Sequence, residues 1–299
     1  MNRVRRLPDE AGDVDDGKAR HQCAKSGAHR DRHYTRGMPL VGAFACAHTP
    51  QLLARPGTED RDIVLRVHEA FGRVKHRLEA LRPDLIALVA GDHIEAFFLT
   101  GVPAFAVYVG TECSGTFGHY RYRFPIHETV ARAIVEEGVE RGFDLFYTQD
   151  ARLDYAFYVP LHFTMPTPAV PLVPLHVNVY LPPQPTPRRC YDWGTALGDI
   201  LRRRPERIVL MASGGMSHFP GTDRYASPDL EWDRGVLDRL REGRGRELAA
   251  LTGEELDKTG NVELRTWITV LGAVGPAPAD VYCYAPSWHH GNAVVEWPV

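Results

Sequence analysis

Two rhythms of apolar residues run through this chain. In the first, short stretches carry almost no polar interruption: Leu40–Ala47, Leu85–Ala90, Phe105–Val109 and Ile208–Ala212. Such runs, bounded by Pro83 and Gly91 in the second case, are expected of strands buried on both faces. Phe143–Tyr147, Val170–Tyr180, Val281–Ala285 and Ala293–Trp297 complete the strand candidates. In the second rhythm, apolar residues recur at helical spacing. Over Glu59–Leu81 the stripe is Ile63, Val67, Ala70, Phe71, Val74, Leu78 and Leu81. Ile126–Arg141, ended by Gly142, and Tyr191–Arg204, Asp229–Leu251 and Gly260–Val274 read as helices too. Alternating strands and helices predict a three-layer α/β/α fold around a central mixed, largely parallel sheet. Residues 38–299 show no internal repeat or compositional break, so they are read as a single domain, with Leu181–Pro187 a surface loop in it.

Residues 1–37 belong to neither rhythm. They are charged and poor in aliphatics, and the expectation for them is a disordered tail. With 299 residues, 44% of them hydrophobic, the chain is long enough to bury a substantial core. A net charge of -3 and the lack of a basic stripe with interleaved aromatics argue against a nucleic-acid partner. No apolar run reaches membrane-spanning length and no signal-like h-region follows the first residues. The five cysteines are scattered without a CxxC pair, which suits a reduced, cytoplasmic protein and a metal, if any, not held by thiolates.

Three strands run into histidines: VGAFACAH ends at His48, LIALVAGDH at His93 and IVLMASGGMSH at His218. Ligands bind outside the carboxyl ends of strands in open α/β sheets, so parallel neighbours would bring the three imidazoles to one crevice. One strand-end histidine is commonly just a capping or loop residue; three together are harder to dismiss. A carboxylate joins them from GNVELRTWITVLGAV, where Glu263 shares a helix face with Trp267, Val270, Leu271 and Val274. A buried carboxylate is costly unless paired or metal-bound; the alternative is a helix-start carboxylate satisfied by free N–H groups. Two imidazoles and one carboxylate with open positions suit Fe(II), whereas a third histidine on Zn²⁺ would suit hydrolysis. Spacing therefore indicates a metal site and leaves oxygenase and hydrolase both open, with a metal-free binding module as a further alternative.

The segments ACAHTP, AGDHIEAFF, SGGMSHFPG and VELRTWITVLGA resemble, in order, the motifs of the class III extradiol ring-cleavage dioxygenases. This group includes protocatechuate 4,5-dioxygenase β-subunits and 2,3-dihydroxyphenylpropionate dioxygenases. The resemblance spans residues 40 to about 275. It implies Fe(II) held by His48, His93 and Glu263, with His218 an acid/base residue beside the metal. It also implies a catecholic, aminophenolic or hydroxypyridine substrate opened with O₂, and a homo-oligomer with or without a separate small subunit. One departure stands out. In LDYAFYVPL, Tyr155 occupies the place of a second active-site histidine expected by the resemblance. A phenol donates a hydrogen bond but is a poor base near neutral pH, so Tyr155 has a changed role, or His162 compensates, or the reaction differs. Asp92 and Asp154, each next to a candidate site residue, are expected to fix imidazole tautomers. Arg121 and Arg123, in a charged loop with His119 and His127, are candidate carboxylate binders. In WHHGN, His289 and His290 are adjacent, so at most one is expected to reach the site if the segment is a strand. His68 and His76 lie off their helix's apolar stripe and are expected to be solvated.

Overall fold

Apolar runs with no exposed position build the middle of the sheet. In the computed structural model, which describes residues 39–97, 99 and 101–299, every residue of Leu85–Ala90 and Ile208–Ser213 is buried. The chain proceeds through β1 (Leu40–Cys46), α1 (Gln51–Ala54), α2 (Arg61–Leu81), β2 (Leu85–Ala90) and β3 (Phe105–Tyr108). A hairpin follows, β4 (Glu112–Phe117) and β5 (Tyr120–Pro125), then α3 (Glu128–Glu140), β6 (Phe146–Thr148) and α4 (Tyr155–Thr164). The second half comprises β7 (Leu172–Val177), α5 (Pro187–Leu201), β8 (Ile208–Ser213) and α6 (Leu230–Arg241). After a 3₁₀ turn come α7 (Gly253–Thr259), α8 (Leu264–Val274), β9 (Asp280–Tyr284) and β10 (Ala293–Trp297).

Eight strands form one mixed sheet in the order β6-β3-β7-β2-β8-β1-β10-β9. β7, β2, β8 and β1 are parallel neighbours, β10 runs antiparallel to β1, and β3 antiparallel to β7. β8 lies between β1 and β2, and the registers Cys46↔Ser213 and Val89↔Ala212 bring the three strands to their carboxyl ends at the same level. This is the arrangement that makes three strand-end histidines meet. α2 and α4 pack together, and α5 packs along α8 on another helical layer. The α5–α8 approach depends on glycine: a Cβ at Gly194 would stand 1.8 Å from the Thr269 carbonyl oxygen, and one at Gly272 2.1 Å from that of Tyr191. α8 is thereby held at backbone contact, and its first residue follows Glu263.

Several boundaries differ from the sequence expectation for identifiable reasons. The expected strand to Tyr180 stops at Val177, because the Asn178 side chain turns the chain by bonding both the N–H and the carbonyl of Leu181. The expected helix to Leu251 breaks near Gly243, whose φ of 72° lies in the left-handed region. Gly260 likewise caps α7, so the helix expected from Gly260 begins at Leu264. The charged loop at residues 112–125 is a two-stranded ribbon. His68 is half-buried and hydrogen-bonded to the Leu52 carbonyl, not solvated, whereas His76 is exposed. The tail expected at residues 1–37 lies outside the described residues. No helix among the described residues is long and apolar enough to cross a membrane.

His176, in the middle of the core on β7, has a measurable consequence. Burial pushes its imidazole down to about 4, against weaker upward pulls from Pro103 and Asp154. A histidine in the unfolded chain takes a proton near 6.5. As pH falls below that value, the unfolded chain binds a proton that the folded core refuses, and stability is lost down to the folded-state value. The gap corresponds to about 3 kcal/mol by pH 4. His176→Leu is expected to flatten this acid limb, read as the urea midpoint of both proteins at pH 7 and near pH 4.5. Equal pH dependence in the two would refute the assignment.

Candidate active site

Glu263 is the hub. It sits at the N-cap of α8, is 1% exposed, and directs Oε1 toward three imidazoles. Its distances are 3.1 Å to His48 Nε2, 3.5 Å to His93 Nε2 and 3.6 Å to His218 Nε2. Oε2 accepts the backbone N–H of Gly215, in the loop after β8. Burial alone would raise this carboxyl, but the imidazoles of His48, His218 and His93 outweigh it and hold it well below the usual carboxylate range. An ionised carboxylate at the centre of an imidazole cluster is an environment that attracts a cation.

The far side of each ring decides which nitrogen faces the centre. Ser213 Oγ donates its proton to the Ala156 carbonyl, so it accepts from His48 Nδ1–H at 3.0 Å. This leaves His48 Nε2 for the pocket. His93 Nδ1 donates to Asp154, 2.9 Å from Oδ2, and the backbone N–H of His93 binds the same oxygen at 2.7 Å. Asp154 is also the N-cap of α4, accepting from Ala156 N–H. One buried carboxylate thus starts a helix and orients an imidazole. Flanked by Asp154 and Glu263, the His93 imidazole is raised to about 10, although burial opposes the shift. His218 Nδ1–H is taken by the Met216 carbonyl at 2.9 Å, leaving Nε2 bare, and burial lowers its affinity for a proton.

His48, His93 and Glu263 offer ligand atoms all within 4.8 Å of one another, and this set fits a metal ion. Ligands about 2.1 Å from one ion at right angles lie about 3.0 Å apart, close to the 3.1 and 3.5 Å measured from Oε1. Both imidazoles turn Nε2 toward Glu263, their Nδ1 atoms being held on the far side by Ser213 and Asp154, so a bound cation would replace any proton His93 Nε2 carries.

Other expected residues divide clearly. Tyr155, the first residue of α4, lies flat against His93, with ring centroids 4.1 Å apart at 20°, and lines the same cavity as His218. Burial first, and then the charges of Asp154 and Glu263, push its phenol above its ordinary range. Asp92 does not touch an imidazole: its oxygens accept from the N–H groups of Ala96 and Phe97 and shape the loop after β2. His162 points away, exposed and bonded to the Tyr122 hydroxyl, so it does not stand in for a missing histidine. Arg121 and Arg123 are on the exposed ribbon, bonded to backbone carbonyls and to Glu112 respectively, and border a separate surface hollow. His289 and His290 both line the cavity, because WHHGN is a turn between β9 and β10 and strand alternation does not apply.

Sequence reasoning missed Tyr180. Its hydroxyl lies 2.8 Å from His93 Nε2 and donates to Glu263 Oε1, at the focus of the donor set. It follows the end of β7, a parallel neighbour of β2, so the strand-end rule that singled out the histidines applies to it as well. A search for histidines alone passes over it.

The family model for the catalytic LigB subunit of aromatic ring-opening dioxygenase matches residues 42–294. A Pseudomonas putida protein named 2,3-dihydroxyphenylpropionate/2,3-dihydroxicinnamic acid 1,2-dioxygenase 2 is 32% identical over 217 residues, 72% of this chain and 63% of that protein. A 2,3-dihydroxyphenylpropionate/2,3-dihydroxicinnamic acid 1,2-dioxygenase from Klebsiella pneumoniae (strain 342) is 23% identical, covering 84% of this chain and 93% of its own length. The crystal structure of an uncharacterized protein from Escherichia coli K12 superposes with a TM-score of 0.60 at 18% identity, over 86% of this chain and 99% of that one, and shows the shared fold. With the family model spanning all but the margins of the described residues, the chain belongs to the family of catalytic LigB subunits of aromatic ring-opening dioxygenases.

Proposed function

We propose that this protein is an Fe(II)-dependent extradiol dioxygenase. It would insert both atoms of O₂ into a catecholic, aminophenolic or hydroxypyridine ring, using residues 38–299 as one catalytic domain. The observation that carries this reading is the placement of His48 Nε2, His93 Nε2 and Glu263 Oε1 around one point, each imidazole turned by a hydrogen bond on its far side. Iron held there would supply Lewis acidity and a common platform for the substrate's two adjacent heteroatoms and O₂.

The chain's own groups then divide the work. His218 Nε2 takes a proton from the substrate hydroxyl and returns it to the opening ring, since its Nδ1 is committed to Met216. Asp154 and Ser213 keep the two ligand imidazoles in orientation. Tyr155 packs on His93 and offers a hydroxyl that donates without readily accepting a proton. Substrate deprotonation therefore rests on His218 and the metal, which favours a ring more acidic than a simple catechol. The names of the relatives point to 2,3-dihydroxyphenyl acids as the first substrates to try.

The test is anaerobic reconstitution with Fe(II), then exposure of catechols, dihydroxyphenyl acids, gallates, aminophenols and hydroxypyridines to O₂, watching for a coloured ring-opened product. An active preparation with stoichiometric zinc and no iron would favour a hydrolase instead. Two variants refine the reading. Asp154→Asn keeps a competent N-cap and removes the charge behind His93, so iron affinity is expected to fall by roughly 10–100-fold; an unchanged anaerobic Fe(II) titration would count against that role. Tyr155→Phe is expected to lower turnover while iron content stays level. If it matches the parent on its best substrate, the hydroxyl only packs.

A further inference from the structure

A second donor set shares Glu263. His218, His290 and Glu263 offer ligand atoms within 4.8 Å of one another, and all three residues are buried. The rings of His218 and His290 are stacked, with centroids 4.2 Å apart at 29°. Each has its Nδ1 proton committed elsewhere. His218 donates to the Met216 carbonyl at 2.9 Å. His290 donates to the Gly291 carbonyl at 2.9 Å and lies 3.2 Å from Thr49 Oγ1, whose own proton goes to Asn292. Two bare Nε2 lone pairs are thereby left beside a carboxylate. Gly215 lets the His290 ring approach Glu263: a Cβ there would meet His290 Cε1 at 2.0 Å and Nε2 at 2.5 Å, and Glu263 Oε2 at 3.2 Å.

Two imidazole nitrogens without a proton and an anionic oxygen, all within 4.8 Å of one another, have electrostatic reason to take up a cation. Two imidazoles, one carboxylate and an open fourth position also occur in catalytic zinc sites, and Zn²⁺ binds a given nitrogen and oxygen set more tightly than Fe²⁺, so with iron on His48 and His93 the remaining set is open to zinc. A carboxylate can serve two ions at once when they lie roughly 3.5–4 Å apart. We propose that His218, His290 and Glu263 form a second, zinc-class cation site next to the iron site, and that filling it silences the enzyme by occupying His218 Nε2. The existence of the site stands on its own geometry; the silencing rests on the function proposed above for His218.

The experiment adds Zn²⁺ anaerobically to the Fe(II)-loaded full chain and follows bound iron, bound zinc and ring-opening rate together. The expected result is retained iron, one further equivalent of zinc, and a fall in turnover of about 10²-fold or more, the loss that accompanies removal of a general acid/base. His290→Gln is expected to bind one zinc equivalent fewer than the parent, keep its iron and escape the zinc-dependent loss. Zinc that inhibits only by displacing iron mole for mole would overturn the proposal from the parent protein alone, whether or not the variant folds. So would His290→Gln binding as many equivalents as the parent. Failure of the iron reading shows separately, as His93→Ala retaining as much Fe(II) as the parent.

Discussion

Glu263→Gln is expected to weaken iron binding by more than the roughly 10–100-fold that loss of an outer hydrogen-bond partner costs, and to abolish ring opening at stoichiometric iron. The side chain keeps its length and can still accept the Gly215 N–H through its amide oxygen, so the loop after β8 need not move. What disappears is the negative charge. Two imidazoles remain, 3.1 and 3.5 Å from an atom that no longer attracts a cation. The metal-free fold should lose stability as well, because the surrounding imidazoles outweigh the cost of burying this carboxylate and removing one partner of a buried charge pair is destabilising. Anaerobic Fe(II) titration of parent and variant, with a thermal melt of each metal-free chain, checks both halves. Parental iron affinity in the variant would remove Glu263 from the ligand set.

His218→Ala is expected to behave in the opposite way. Iron should stay at parental occupancy while turnover falls by about 10²–10⁴-fold, the range for a lost general acid/base. The reason is geometric. His218 Nε2 lies about as far from Glu263 Oε1 as His93 Nε2 does, 3.6 against 3.5 Å, but it groups with His290 and not with the His48–His93 pair, and its ring is braced by the Met216 carbonyl and the face of His290. Metal content measured beside single-turnover rates separates the roles. A variant that loses iron would make His218 a ligand.

Much of this site was legible in the sequence because it follows from rules local to each segment. β1, β2 and β8 lack polar interruption, so burial on both faces was predictable, and in a parallel sheet the residues after such strands line a crevice. That reasoning reached His48, His93 and His218, and the helical stripe containing Trp267 reached Glu263. The family motifs were equally plain in linear order. Local pattern failed where the segment had none. The stretch YAFYVPLHFT is apolar on all sides and carries Pro160, so α4 showed neither helical nor strand period, and the role of Asp154 as its cap stayed hidden. The ribbon β4–β5 alternates exposed and more buried positions, but its arginines read as a charged loop.

The remainder depended on contacts between segments far apart in the chain. Placing β8 between β1 and β2 decides that the three histidines meet, and that order is a matter of sheet packing. Tyr180 enters the site only because Asn178 turns the chain after β7, and His290 because the β9–β10 turn folds against the loop that carries His218. The choice of tautomer at His48 depends on a serine 165 positions away, and that at His93 on an aspartate 61 positions away. The sequence by itself determined which strands are buried and which donor types stand at their ends, since side-chain hydrophobicity and spacing act locally. Only the tertiary structure decided which nitrogen faces the carboxylate and which further side chains join it, because hydrogen-bond geometry exists only once those distant segments have packed.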